Sequence, residues 1–148
     1  MTTPPPVTIR RAAAADAADI VRLNLAFNDL RSTEDTIAAQ LAAGSPVETL
    51  YVAEVEGQVV GLASLRLLPQ ILDPVPYAEL SELFVEEAYR HHGVGRALVR
   101  HIEAEARAAG AQQMVLLTAW RNTHAHAFYH ALGYGLYTVT MRRALSSD

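Results

Sequence analysis

The segment Arg90-His91-His92-Gly93-Val94-Gly95-Arg96 holds the residue types from which a phosphate site is built. Glycines let a backbone come close to a ligand and turn several N–H groups toward one point. A helix starting there adds a partial positive charge at its N-terminus. Helices usually take Asp or Glu into the first turn for that reason. Yet Tyr89 to Ile102 contains no acid and carries Arg90, His91, His92, Arg96, Arg100 and His101. Arg96 and Arg100 are one helical turn apart, a like-charge pair that costs roughly a few tenths of a kcal/mol. Unfavourable choices gathered at one helix end make chemical sense if a polyanion sits there. Two plainer readings stand beside this one: an ordinary glycine turn, and arginine codon bias on a solvated face.

Composition removes several other chemistries. The chain has 148 residues, a net charge of −4, no Cys and no Lys. Without Cys there is no disulfide scaffold, zinc-thiolate finger, iron–sulfur cluster or thiol nucleophile. The acidic balance argues against a general nucleic-acid footprint. His126 and His130 are four apart with His124 nearby, but a zincin helix would read His-Glu-x-x-His and the Glu position is Ala127. No metal is expected. No run approaches the roughly eighteen apolar residues of a membrane span, so no membrane partner is expected. The start lacks a basic n-region and an apolar h-region, so a cytoplasmic location is expected.

The elements that must position these groups follow from periodicity. Val7 and Ile9 alternate with polar neighbours, predicting a short strand. Asp16 is placed to cap a helix whose apolar face is Ile20, Leu23, Phe27 and Leu30. A weaker helix runs from Thr33 to Ala43, stopped by Gly44 and Pro46. The period then becomes two. Leu50–Val55 and Gln58–Leu68 form a hairpin about Glu56-Gly57. Pro69, Pro74 and Pro76 mark a loop, and Tyr77–Val85 is a strand. A long helix ends near Ala109, with Val94, Leu98, Val99, Ile102 and Ala106 as its apolar stripe. A buried strand from Met114 to Thr118, a helix from Thr123 to Leu132 and a terminal strand over Tyr134–Leu145 complete the chain. The order β-α-α-β-β-β-α-β-α-β predicts an α+β fold with a mixed, mostly antiparallel sheet flanked by helices. Residues 1–6 read as a flexible lead, 7–145 as a single domain and 146–148 as a tail.

Arg90-x-x-Gly93-x-Gly95, after a strand ending Leu83-Phe84-Val85, resembles the acetyl-CoA pyrophosphate loop of the GNAT superfamily of N-acetyltransferases. Asn122-x-x-Ala125-x-x-Phe128-Tyr129-x-x-x-Gly133-Tyr134 is similar to a second segment of that family, with Tyr134 where Phe is common. The resemblance spans residues 7 to 144. It implies that the backbone of Leu83, Phe84 and Val85 binds the pantetheine arm. It implies that the amides from His91 to Arg96, through His92, Gly93, Val94 and Gly95, cradle the pyrophosphate beside Arg90. Asn122 would contact the pantetheine or adenosine side. Tyr129 sits where the family places its general acid, near the CoA sulfur; its plainer reading is a core aromatic beside Phe128.

The chemistry so implied asks for a base to free the amine of its proton and for donors at the developing oxyanion. Glu79 and Glu82 are the candidates for the base, acting directly or through water. Strict alternation puts Glu79, Ser81, Leu83 and Val85 on one face and Ala78, Leu80, Glu82 and Phe84 on the other. Both acids therefore reach one cleft only if the strand bulges. Asp73, Glu79, Glu82, Glu86 and Glu87 gather near this strand and suit a cationic acceptor: a small amine or a protein N-terminus. The segments Phe27–Thr36 and Pro69–Tyr77 are expected to shape its pocket. A non-catalytic acyl-CoA sensor or assembly module is the alternative. A homodimer through Tyr134–Met141 is also expected. Lacking Cys, an enzyme of this kind forms no acetyl-cysteine and transfers directly within a ternary complex. With Arg and His alone at the loop, phosphate contact would vary with pH as the histidines titrate.

Overall fold

The alternating stretches become strands in the computed structural model, which describes residues 3–28 and 32–146. β1 (Val7–Arg11), β2 (Glu48–Val55), β3 (Gln58–Leu68), β4 (Tyr77–Val85) and β5 (Met114–Leu116) form one sheet in sequence order. The first four strands are antiparallel neighbours and β5 runs parallel to β4. The mixed, mostly antiparallel sheet expected from the sequence is thus present. The chain divides into two compact units, one ending at Leu117 and one starting at Thr118. The sheet lies wholly in the first.

α1 (Ala17–Asn28) and α2 (Glu34–Ala43) cover one sheet face. Ala17, Ile20, Leu23 and Ile37 pack on Val52, Leu62 and Phe84 to form its core. Leu30, the fourth residue of the expected stripe, lies outside the described residues. Asp16 is not the residue that starts α1. It closes a preceding 3₁₀ turn, where its carboxylate accepts the Ala13 N–H at 2.7 Å and both Arg10 terminal nitrogens at 2.8 and 2.9 Å. The guanidinium holds this buried carboxyl below the usual carboxylate range. Thr33 caps α2 through a bond from the Thr36 N–H.

α3 (Val94–Ala108) lies on the other face and buries the five expected positions, Val94, Leu98, Val99, Ile102 and Ala106. Its His101 ring meets Tyr51 of β2 edge-on at 4.9 Å. Two bulges interrupt the ladders. One, at Val60, shifts the β2–β3 register between Ala53 and Glu54. The other, at Ser81, shifts β3–β4 between Ser64 and Leu65. β5 spans three half-buried residues, shorter and less covered than expected, because only Ala78–Leu80 of β4 pair with it.

The second unit holds α4 (Thr123–Ala131). The terminal strand expected over Tyr134–Leu145 does not form; residues 134–146 have no regular structure. Leu136, Tyr137, Val139 and Met141 are all more than three-quarters exposed. Alternation makes a segment fit to be a strand, but a strand exists only once a partner satisfies its backbone groups. Among its described residues this unit contains no other strand to do so.

Candidate active site

β4 outruns β5. Pairing with β5 stops at Leu80, so Ser81 to Val85 extend with no strand along that side among the described residues. Backbone groups on such an edge are free to pair with an extended ligand. Leu83, Phe84 and Val85, the residues the sequence resemblance assigns to the pantetheine arm, lie along it, and the Val85 carbonyl already accepts from Arg90 Nε.

The edge leads through a 3₁₀ turn at Glu87–Tyr89 into the start of α3. His91 and Gly93 both have positive φ, 64° and 84°. Gly93 is the residue preceding α3; it offers no side-chain cap, and the first turn contains no acid. The first intrahelical bond at this end runs from the Ala97 N–H to the Gly93 carbonyl. The N–H groups of Val94, Gly95 and Arg96 therefore lack helical acceptors, as at every helix start. A Cβ built on Gly93 meets nothing within 4 Å. The donor set and the open approach both fit a pyrophosphate.

Arg90 is turned back along the sheet. Its Nε donates to the Val85 carbonyl at 2.9 Å, and its guanidinium carbon lies 5.4 Å from the Phe84 ring centroid. It thereby ties the end of β4 to the loop. Arg100 pairs with Glu103 at 2.9 Å, and His101 lies 3.8 Å from Glu105. Part of the basic cluster is thus matched further along α3, while His91, His92 and Arg96 are exposed. An open cleft of about 670 Å³ beside Arg90 is lined by Arg22, Ala26, Phe84 and Glu86.

The bulge at Ser81 overturns the strict alternation along β4. Directly opposed residues of an antiparallel pair share a face. Leu80 opposes Leu65, and Glu82 opposes Ser64. Tyr77, Glu79, Glu82 and Phe84 therefore share the α1/α2 face, whereas Ala78, Leu80, Leu83 and Val85 share the α3 face. Both candidate acids reach one side. The extra residue, Ser81, has a buried hydroxyl with no hydrogen-bond partner.

The other three acids do not join them. Asp73 accepts the Val75 N–H inside its own loop, Glu86 pairs with Arg22 at 2.9 Å, and Glu87 lies in the turn beyond β4. Two unforeseen residues do join. Glu48 of β2 and Arg66 of β3 lie in register with Glu79, and Ser64 donates to Glu48 at 2.6 Å. Tyr77, beside Glu79, has its hydroxyl pKa raised by burial and by the Glu79 charge.

In the second unit, Asn122 caps α4 by accepting the Ala125 N–H at 3.1 Å. Tyr129 lies about two turns further along α4, half-buried and edge-on to Phe128 and Tyr134 at 5.1 and 5.7 Å. Burial pushes its hydroxyl up to about 12. His126 Nε2 is 3.0 Å from the Ala119 carbonyl. Among the described residues, no three His, Asp or Glu groups come together as a metal site would need, and no helix is long and apolar enough to cross a membrane.

The model of the acetyltransferase (GNAT) family matches residues 17–134. The chain belongs to this family of N-acetyltransferases. It is 30% identical over 131 residues to an aminoglycoside N(6')-acetyltransferase type 1 of Stenotrophomonas maltophilia, covering 86% of this chain and 85% of the relative. It is 33% identical over 106 residues to an aminoalkylphosphonate N-acetyltransferase of Salmonella typhimurium, covering 72% and 68% respectively. A putative acetyltransferase structure from Agrobacterium tumefaciens superposes with a TM-score of 0.83 at 28% identity, covering 93% of this chain and 99% of that one.

Proposed function

We propose that the protein moves an acetyl group from acetyl-CoA to a primary amine by direct transfer in a ternary complex. The observation that carries this reading is the β4 edge that outruns β5 and leads into the acid-free, glycine-opened start of α3. The edge suits the pantetheine amides and the helix start suits the pyrophosphate. In the reaction, Glu79 accepts the proton of the attacking amine, directly or through a water also held by Glu82. The nitrogen forms its bond to the thioester carbon and the C–S bond breaks. Tyr129 returns a proton to the departing sulfur. A hydroxyl pushed up to about 12 stays protonated at working pH and keeps that proton available.

The acceptor is a small cationic amine or a protein N-terminus. Glu48, Glu79 and Glu82 lie in two adjacent rows of one face, with Arg66 in the row of the first two, and this excess of carboxylates favours a positively charged guest. The similarity to an aminoglycoside acetyltransferase supports the same class. A panel of aminoglycosides, polyamines, aminoalkylphosphonates, neutral amines and peptides, assayed with acetyl-CoA by thiol release, tests it. Turnover confined to cationic amines is expected. Turnover of only neutral or acidic amines sinks the acceptor class, and CoA binding without turnover on any amine favours a sensor.

We also propose a cytoplasmic homodimer joined through Tyr134–Met141. The support is the exposed apolar alternation Tyr137, Val139 and Met141 on a segment with no strand partner. Sedimentation of the full chain is expected to give a dimer, and Val139→Asp to give a monomer. A monomer at tens of micromolar wild-type protein removes this interface.

A further inference from the structure

Ser81 is the extra residue of the β4 bulge. Leu80 opposes Leu65 and Glu82 opposes Ser64, so Ser81 has no cross-strand partner on β3. On the other side, pairing with β5 ends at Leu80, one residue earlier. Ser81 therefore stands where β4 loses its second neighbour. Among the described residues, its Oγ is the one buried side-chain nitrogen or oxygen without a hydrogen-bond partner. Ser64, across from Glu82, makes the contrast: it is only 1% exposed, and it donates to Glu48 at 2.6 Å. A buried donor left unpaired is destabilising, and folds keep few of them. Bulges that re-aim a side chain collect beside active sites. The polarity of the edge decides which part of a ligand Ser81 meets. With phosphates at the start of α3, an arm paired along β4 has its phosphate end beside Val85 and its sulfur end toward Ser81. Val85 back to Ser81 is about 13 Å of strand, a span that suits an extended arm of two amides with a short link to sulfur.

We propose that Ser81 is a further catalytic residue, whose hydroxyl donates a hydrogen bond to the thioester carbonyl oxygen of acetyl-CoA and holds it while the amine adds. The proposal rests on the reading of the β4 edge as the acetyl-CoA site. As the amine nitrogen bonds to the carbonyl carbon, the C=O electron pair moves onto oxygen. The Ser81 proton stays on Oγ throughout, and only its hydrogen bond strengthens. When the pair returns to re-form C=O, the C–S bond breaks and sulfur leaves with its electrons. A donor already in place where negative charge develops acts mainly on the transition state. Ser81 as a residue is half-buried, and its hydroxyl turns among staggered positions. Having no bond within the fold, it gives none up on meeting the ligand.

Removing the hydroxyl separates this role from a structural one. Ser81→Ala is expected to melt no lower than wild type, because an orphan hydroxyl contributes no bond to the fold. It is expected to bind CoA, which has no carbonyl at its sulfur, as wild type does. With the most active amine of the panel, kcat is expected to fall about 10²-fold, and Ser81→Thr, which keeps a hydroxyl, to recover most of that loss. The decisive measurement needs no acceptor. Acetyl-CoA labelled with carbon-13 at the carbonyl is bound to each protein and followed by NMR. Wild type is expected to move the signal downfield of free acetyl-CoA, since a hydrogen bond to oxygen polarises the carbonyl, and Ser81→Ala to return it part of the way. A carbonyl signal unchanged in Ser81→Ala, with acetyl-CoA still bound, overturns the proposal and leaves the acetyl-CoA reading intact. So does a melting temperature lowered by several degrees, which would give the hydroxyl a partner in the fold. Wild-type protein with no bound signal overturns the acetyl-CoA reading, and the role of Ser81 with it.

Discussion

Gly93→Val is expected to weaken acetyl-CoA binding several hundredfold while leaving a folded protein. Gly93 stands at φ 84°, immediately before α3. A β-branched residue there is a true conformational outlier and costs about 1–3 kcal/mol of backbone strain. The loop can escape that strain by abandoning the turn, since no protein atom lies within 4 Å of the new Cβ to hold it. Escape rotates the Val94 and Gly95 amides away from the phosphate position and puts an isopropyl group in the approach. A hydrogen bond to a charged group contributes about 1.5–3 kcal/mol. Losing two is worth about 3–4 kcal/mol at the low end, and each 1.4 kcal/mol is tenfold in affinity. Calorimetric titration with CoA checks the outcome, with a thermal melt beside it. Gly44→Val is the control, because Gly44 also has positive φ, 71°, but closes α2; it should lose stability and keep CoA affinity. A folded Gly93→Val protein that binds CoA within threefold of wild type takes the loop out of the cofactor site.

The proposed cofactor half of the candidate site is legible in the sequence because it is local. A strand, two spaced glycines and a basic helix start are consecutive along the chain, and the α3 stripe was read residue by residue. The proposed acceptor half is not local. A hairpin closed at Glu56-Gly57 with uninterrupted pairing opposes Glu48 to Leu65; the Val60 bulge slides it to Arg66. Likewise the Ser81 bulge alone brings Glu79 and Glu82 to one face. Neither residue type announces a bulge. Each inserts one residue into one strand only, a feature of the pairing with the neighbouring strand that no local pattern records. The terminal segment fails for a related reason. Periodicity records what a segment is suited to, and strand formation also requires a partner.

The acids expected to crowd around β4 illustrate the same limit. Nearness in sequence put Asp73, Glu86 and Glu87 with Glu79, yet strand length carries Glu86 to the far end of β4, where Arg22 takes it. The cation that does meet Glu79 lies thirteen positions away along the chain and one strand across.

Tyr129→Phe is expected to lower kcat on the order of 10²-fold and to leave the acetyl-CoA dissociation constant within about threefold, since general acid–base contributions run from about 10² to 10⁴. The ring stays, so the edge contacts to Phe128 and Tyr134 survive and α4 keeps its packing. Only the proton donor goes, and the thiolate must leave unprotonated or take its proton from water. The pH dependence gives a second check. A tyrosine hydroxyl raised from 10 to about 12 by burial is neutral at every ordinary assay pH. Raising the pH from 7 to 9 therefore removes no proton from Tyr129, and wild-type kcat should not fall across that window for this reason. Tyr129→Phe should scale the profile down without moving its limbs. A basic limb near pH 8 that disappears in Tyr129→Phe would mean that the hydroxyl titrates there, contrary to its burial. Unchanged turnover with intact CoA binding would strip Tyr129 of the acid role and return that step to solvent.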